Sequence, residues 1–142
     1  MPISNSLLKE IIEFRRQLHH FPELSGREST TSKAIADFLK NSNPSSIIPD
    51  IGGHGIAVVY ESGTDGPTVL FRADMDALPI QELNEFGYRS VVKGVAHLCG
   101  HDGHSAILVG VASLLKHNPP ASGRVVLLFQ PAEETGEGAA AV

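Results

Sequence analysis

Apolar side chains recur at helical spacing in three parts of the chain. Near the start they predict an amphipathic helix over residues 4–20, capped by a serine and ended by the Phe21-Pro22 step, because the residue before a proline disfavours helical backbone. A second apolar stripe predicts a helix over residues 28–41. The nearly all-apolar run from His104 to His117 predicts a third, buried helix.

The apolar pattern shortens to the period of a strand in the middle of the chain. Residues 56–61 and 68–73 are rich in β-branched side chains and predict two strands. The six residues between them suit a hairpin loop, so we expect these strands to pair antiparallel. The run from Arg124 to Gln130 is continuously apolar, which is typical of a strand covered on both faces. Helices and strands in this order predict an α/β fold.

Composition and charge narrow the class of protein. The chain has 142 residues, 42% hydrophobic and 19% charged, and a formal net charge of −5, which suits one globular domain. With no basic cluster, neither nucleic acid nor a membrane is an expected partner. The charged N-terminus lacks the apolar centre of a signal peptide. Cys99 is the sole cysteine, so no internal disulfide can form, and we expect a cytoplasmic protein.

The residues best suited to metal binding or catalysis lie just before the third predicted helix. The segment His97-Leu98-Cys99-Gly100-His101 is followed by Asp102, Gly103 and His104. In extended backbone, residues i and i+2 share a face, so His97, Cys99 and His101 could converge as a metal site. The positive end of the helix dipole would keep nearby imidazoles neutral and favour a thiolate, the forms that bind metals. The alternative is a polar loop that only caps the helix.

Two acidic pairs follow predicted strands, where α/β proteins place their sites. Glu133 and Glu134 are adjacent, and in extended backbone they would point in different directions, one toward a metal and one toward a water. Asp74 and Asp76 would share a face and could bind a metal or orient a ligand histidine. The alternatives are a solvated acidic turn and an Asx turn. The remaining histidines outside these clusters are interpreted as helix-end or loop residues: His19, His20, His54 and His117.

Four segments together resemble the aminoacylase/carboxypeptidase family of metal-dependent amidohydrolases, in particular its hippurate hydrolase, N-acyl-amino-acid amidohydrolase and auxin-conjugate hydrolase subgroup. The segments are residues 15–25 (RRQLHHFPELS), 71–80 (FRADMDALPI), 97–104 (HLCGHDGH) and 129–134 (FQPAEE). Each motif is weak alone, but the four occur in the family's order and span most of the chain.

The resemblance implies a set of roles for these residues. It implies a centre of two divalent metal ions, usually zinc or manganese and in some cases cobalt. Cys99, His101 and Glu134 are similar to metal ligands of the subgroup, and Glu133 to its general base. Asp76 resembles the carboxylate that orients a ligand, whereas Asp74 stands near a position where distant relatives carry a histidine.

The implied fold is the N-terminal part of a mixed-sheet α/β metallopeptidase-type catalytic domain, without the family's lid domain. Family members are longer than this chain, so residues 1–142 are expected to be the N-terminal portion of a single, truncated catalytic domain. Two further histidine ligands are then expected beyond Val142, and the chain alone is expected to be inactive. We also expect it to form a homo-oligomer or to associate through exposed surface.

The expected reaction is metal-dependent hydrolysis of the amide bond of N-acyl amino acids, hippurate-like small molecules, by a metal-activated water with Glu133 as the base. Two other functions stay open at this point. One is a non-catalytic metal-binding fragment or pseudoenzyme. The other is a hydrolase that uses Cys99 as its nucleophile with a neighbouring histidine as the base.

Overall fold

The computed structural model describes residues 4–142 and confirms an α/β fold. The first helix is capped by Ser4, whose hydroxyl accepts a hydrogen bond from Leu7 N–H. The third helix begins three residues earlier than predicted. In chain order the elements are α1 (Asn5–His20), α2 (Ser29–Leu39), a 3₁₀ turn (Lys40–Ser42), β1 (Ser46–Ile51), β2 (Gly55–Glu61), β3 (Thr68–Asp74), α3 (His101–His117), β4 (Arg124–Gln130) and α4 (Gly138–Ala141).

The four strands form one mixed sheet in the order β1-β2-β4-β3. The pairs β1/β2 and β2/β4 are antiparallel, and β3/β4 is parallel. The predicted apolar strand β4 therefore lies inside the sheet, with β2 on one side and β3 on the other. In the parallel pair, Asp74 lies opposite Gln130, so both strands end at the same edge of the sheet.

The predicted hairpin between β2 and β3 is wrong. The two strands run in opposite directions, but β4 lies between them and hydrogen-bonds to both. The connecting residues 62–67 cross two strand spacings, about 10 Å, and are pinned to the start of β4. Ser62 N–H donates to Gly123 O at 3.0 Å, and Arg124 N–H donates to Pro67 O at 3.0 Å. When β4 lies between β2 and β3, it makes backbone hydrogen bonds along both of its edges. A local hairpin of β2 and β3 would leave one edge of β4 without a partner.

Strand β1 was not predicted from the sequence. It lies at the edge of the sheet, carries Pro49, and has a register irregularity between Ile48 and Ile51. Asp50 within it adopts a left-handed conformation, with φ 60°. Proline and irregular register are tolerated at an edge, where one row of backbone groups has no partner strand. These features hide the strand period from a sequence pattern.

The hydrophobic core lies between one face of the sheet and helices α1 to α3. Alternate residues of β2 and β4 point to this face, among them Ile56, Val58, Leu127 and Phe129, all fully buried. Helix α3 packs against β3 and β4, and α1 packs on α3. Within residues 4–142, no helix is both long and apolar enough to cross a membrane.

A buried ionic chain ties the end of α1 to the loop after β3 and to the start of α3. His19 Nδ1 lies 2.8 Å from Asp102 Oδ2, and His19 Nε2 lies 3.0 Å from Glu82 Oε1. Arg15 Nε also reaches Asp102 Oδ2, at 2.7 Å. Both ring nitrogens of His19 therefore lie within hydrogen-bond distance of a buried carboxylate. The interpretation of His19 as an ordinary helix-end residue is therefore wrong.

The environment of Glu82 predicts a pH dependence of stability. Burial raises the pKa of this carboxyl, but hydrogen bonds from Asn84, His19 and Ser90 N–H outweigh burial and hold the pKa at about 2. Because the folded pKa lies below the unfolded value, the stabilisation is complete above the unfolded pKa and is lost as pH falls toward about 2.

We predict that Glu82→Gln lowers the free energy of unfolding at neutral pH by about 1.5–3 kcal/mol, the usual worth of hydrogen bonds to a charged group. Urea unfolding across the acid range should show the difference from the original protein shrinking as pH falls. Glu85→Gln, at an exposed neighbour, is the control and should change little. A difference that stays constant from neutral to acid pH would contradict the assignment.

Candidate metal centre

Three segments meet at the edge where β3 and β4 end. The loop after β3 carries Asp76, the turn after β4 carries Glu133 and Glu134, and α3 begins with His101. Met75 N–H donates to Gln130 O at 3.1 Å and joins the two strand exits. The parallel register therefore places the residues of three separate sequence motifs within reach of one another.

Cys99, His101 and Glu134 form one compact group of potential ligands. One ligand atom from each, the thiol sulfur, an imidazole nitrogen and a carboxylate oxygen, lies within 4.8 Å of the other two. Gly100, with φ 93°, makes the sharp turn between the cysteine and the helix. Sulfur, nitrogen and oxygen donors together suit a divalent transition metal such as zinc.

The hydrogen bonding of the Glu134 carboxylate indicates whether this group of residues suits a cation. Its Oε1 atom is buried and accepts no hydrogen bond from any described residue. The same oxygen lies 3.9 Å from His101 Nε2. A buried carboxylate oxygen without a donor is costly, and a cation between these atoms would satisfy it. The donor set and the unpaired oxygen both fit a metal ion.

Asp76 fixes the orientation of the His101 ring. His101 Nδ1 donates to the backbone oxygen of Asp76 at 2.9 Å and lies 3.3 Å from Asp76 Oδ1. This arrangement places the proton on Nδ1 and leaves Nε2 directed toward Glu133 and Glu134, at 3.7 and 3.9 Å. Histidine ligands are commonly oriented in this way by a partner on the other nitrogen.

Two pKa shifts describe the charge of this pair. The hydrogen bond to Asp76, more than the opposing effect of burial, raises the pKa of His101 to about 9. Burial raises the pKa of Asp76, but the adjacent His101 ring and the hydrogen bonds from Ser25 Oγ and Glu134 N–H prevail and hold the pKa at about 2. The surroundings therefore favour positive charge at the ring, and a divalent ion would take that place with release of a proton.

The Cys99 thiol is exposed, and its pKa is raised, first by the adjacent Glu134 carboxylate and also by the other surrounding carboxylates. The expected effect of the helix dipole, a thiolate beside neutral imidazoles, is therefore wrong for both Cys99 and His101. Several full carboxylate charges outweigh the partial charge of a helix end. A raised thiol pKa also disfavours a cysteine nucleophile, which needs a depressed one.

Glu133 and Glu134 lie in a turn and not in extended backbone, which corrects the predicted geometry. They nevertheless differ in their surroundings. Glu134 belongs to the ligand group, whereas the Glu133 side chain is 39% exposed, with Oε2 3.7 Å from His101 Nε2. One carboxylate is thus turned toward the cation position and the other borders it from the solvent side.

Two other sequence expectations are wrong. His97 does not join the group of Cys99 and His101, because the backbone bends at Cys99 and Gly100 has φ 93°, so the segment is not the extended backbone that the i, i+2 rule requires. His97 is buried, neither ring nitrogen has a partner among the described residues, and burial lowers its pKa to about 4. Asp74 does not share a face with Asp76, since β3 ends at Asp74, which pairs with Arg72 at 2.8 Å.

Two residues near the site were missed by the sequence analysis. Ser25 Oγ donates to Asp76 Oδ2 at 2.7 Å, and Glu28 Oε1 accepts from Ala132 N–H at 2.9 Å. Ser25 is the last residue of the segment 15–25, which contributed to the family resemblance, but the resemblance assigned no role to this serine. Glu28 precedes a helix, where an acidic residue suggests capping and nothing further.

The chain was compared with protein families, curated proteins and solved structures. The model of peptidase family M20/M25/M40 matches residues 70–142. The N-acetyl-L-cysteine deacetylase of Bacillus subtilis is 44% identical over 99% of this chain and 34% of its own length. The IAA-amino acid hydrolase ILR1-like 5 of Arabidopsis thaliana is 42% identical over 91% of this chain and 29% of its own length.

Among solved structures, the Bacillus subtilis YXEP protein, a dinuclear metal binding peptidase from the M20 family, superposes with a TM-score of 0.92. It is 38% identical, and the match covers 99% of this chain and 39% of that structure. The chain spans about a third of the length of the curated relatives it matches. The chain belongs to peptidase family M20/M25/M40. The family resemblance and the mixed-sheet α/β fold class are confirmed.

Proposed function

We propose that this chain carries part of the active site of a metal-dependent hydrolase that cleaves the amide bond of N-acyl amino acids. The observation that carries the proposal is the convergence of Cys99, His101 and Glu134 within 4.8 Å, with Glu133 beside them. Two relatives support the substrate class, since N-acetyl-L-cysteine and IAA-amino acid conjugates both join an acyl group to an amino acid.

Cys99, His101 and Glu134 would hold a divalent ion, with zinc, manganese and cobalt as the candidates. The dinuclear M20 structure supports two such ions in the whole protein. In this proposal residues 1–142 form the N-terminal portion of one catalytic domain. Residues outside this portion supply the further metal ligands. When bound, the metal supplies Lewis acidity, which lowers the pKa of a water and offsets negative charge on the substrate carbonyl.

Glu133 is the proposed general base. Its carboxylate borders the cation position and is open to solvent, so it can accept a proton from a water beside the scissile carbonyl. It would then return that proton to the nitrogen of the leaving amino acid. Asp76 holds His101 through Nδ1 and keeps the Nε2 atom directed at the site throughout.

The base assignment leads to a direct prediction. In the complete enzyme, Glu133→Gln should lower kcat on an N-acyl amino acid by about 10²–10⁴, the usual scale for a general base, while the metal content stays unchanged. Kinetics and metal analysis on the same preparation would measure both. Glu137→Gln, an exposed neighbour on the same turn, is the matched control. Near-normal turnover in Glu133→Gln would remove Glu133 from this role.

The ligand assignment is tested through the single thiol. Because Cys99 is the sole cysteine and is exposed, an alkylating reagent reports on this position only. Added zinc should slow alkylation of Cys99 at mildly alkaline pH, and a chelator should restore the rate. Glu134→Gln should weaken this protection, and Glu137→Gln should keep it. Equal alkylation rates with and without zinc would contradict Cys99 as a ligand.

A further inference from the structure

The loop between α1 and α2 touches the turn that carries Glu133 and Glu134. Glu28, at the end of this loop, is fully buried, and its Oε1 accepts from Ala132 N–H at 2.9 Å. Ala132 is in a left-handed conformation, with φ 52°, which is unfavourable for a residue with a Cβ. A buried carboxylate acceptor therefore holds the first strained residue of this turn.

The same loop reaches the turn a second time through Asp76. Ser25 Oγ donates to Asp76 Oδ2 at 2.7 Å, and that same oxygen accepts from Glu134 N–H at 2.9 Å. Two backbone N–H groups of the turn, at Ala132 and Glu134, are therefore each held by a buried carboxylate. The Glu28 carboxylate belongs to the loop, and the Asp76 carboxylate accepts a hydrogen bond from Ser25 of the loop.

The Glu28 side chain is not used for its own helix. Glu28 stands at the cap position of α2 but makes no side-chain hydrogen bond to that helix. Glu23 does so instead, since its Oε2 accepts from Thr31 N–H at 2.7 Å. The backbone oxygen of Glu23 also accepts from Ala77 N–H at 2.8 Å, which fixes the loop to the segment after β3. The loop thus has one carboxylate for the helix and another for the turn.

We propose that Ser25 and Glu28 are positioning residues of the metal centre, which hold the Ala132–Glu134 turn so that the Glu134 carboxylate faces Cys99 and His101. The inference rests on the proposed function. Neither residue touches substrate or metal; both act through hydrogen bonds to the turn and to Asp76. Partners of this kind typically change metal affinity tenfold to a hundredfold when removed.

Cobalt(II) is the probe, because a thiolate bound to cobalt absorbs in the near ultraviolet and the chain has one thiol. Titration of the purified protein gives a cobalt affinity for each variant. Glu28→Met keeps the length of the side chain and removes the acceptor, and Ser25→Ala removes the donor. Each should weaken cobalt binding about ten- to a hundredfold. Glu28→Gln keeps an acceptor oxygen and should retain most of the affinity.

Glu23→Met is the matched control. It makes the same substitution in the same loop, on a carboxylate that serves α2 and not the turn. Thermal unfolding should show a lower Tm for Glu23→Met with unchanged cobalt affinity. If Glu28→Met does not fold, Ser25→Ala carries the test, since it removes only one hydroxyl.

The outcomes separate the inference from the proposed function. Original affinity in folded Ser25→Ala and Glu28→Met would overturn the positioning role and leave the metal centre intact. An equal loss of affinity in Glu23→Met would also overturn it, because general loop damage would then explain the effect. Absence of the thiolate-to-cobalt band in the unsubstituted protein would overturn the metal centre and the inference together.

Discussion

The buried carboxylate of Asp76 is the interaction on which the arrangement of the site depends. It faces the His101 ring, accepts from Ser25 Oγ and accepts from Glu134 N–H, so it joins three distant segments at one point. A buried charge is costly unless it is fully paired. The chain offsets part of this cost with groups that are themselves parts of the site. Asp76 Oδ2 accepts two hydrogen bonds and Oδ1 lies 3.3 Å from the His101 ring, so one carboxylate sets the geometry of His101 and of the acidic turn.

Helices α1 to α3 and three of the four strands followed from periodicity, because a 3.6- or 2-residue repeat is a local property of the sequence. Strand pairing did not follow, since the partners of β4 lie 56 to 73 residues away in sequence and no local pattern identifies them. The group of potential ligands was expected from the family motifs, but its geometry was not, because the bend at Cys99 and Gly100 turns His97 away from the group. The supporting roles of Ser25 and Glu28 depend on tertiary contacts that no spacing rule encodes.

The charges at the site differ from those expected at a helix N-terminus, where a thiolate and neutral imidazoles were predicted. A helix N-terminus favours anions, yet the nearby groups are carboxylates, and together they raise the pKa of both Cys99 and His101. An acidic pocket in which Glu134 Oε1 and Asp76 Oδ1 are buried without hydrogen-bond partners favours a positive occupant. The same balance makes the thiol a poor free nucleophile and a good ligand once a cation displaces its proton.

The central place of β4 has a consequence for how the chain reaches its native state. β1 and β2 are neighbours in sequence and can pair as soon as both exist. In contrast, β3 has no partner in the sheet until β4 is available. Contacts over such long sequence separations are slow to form, because loop closure costs entropy before any pairing repays it. During synthesis, then, His101 would meet the acidic turn only after β4 has paired with β3.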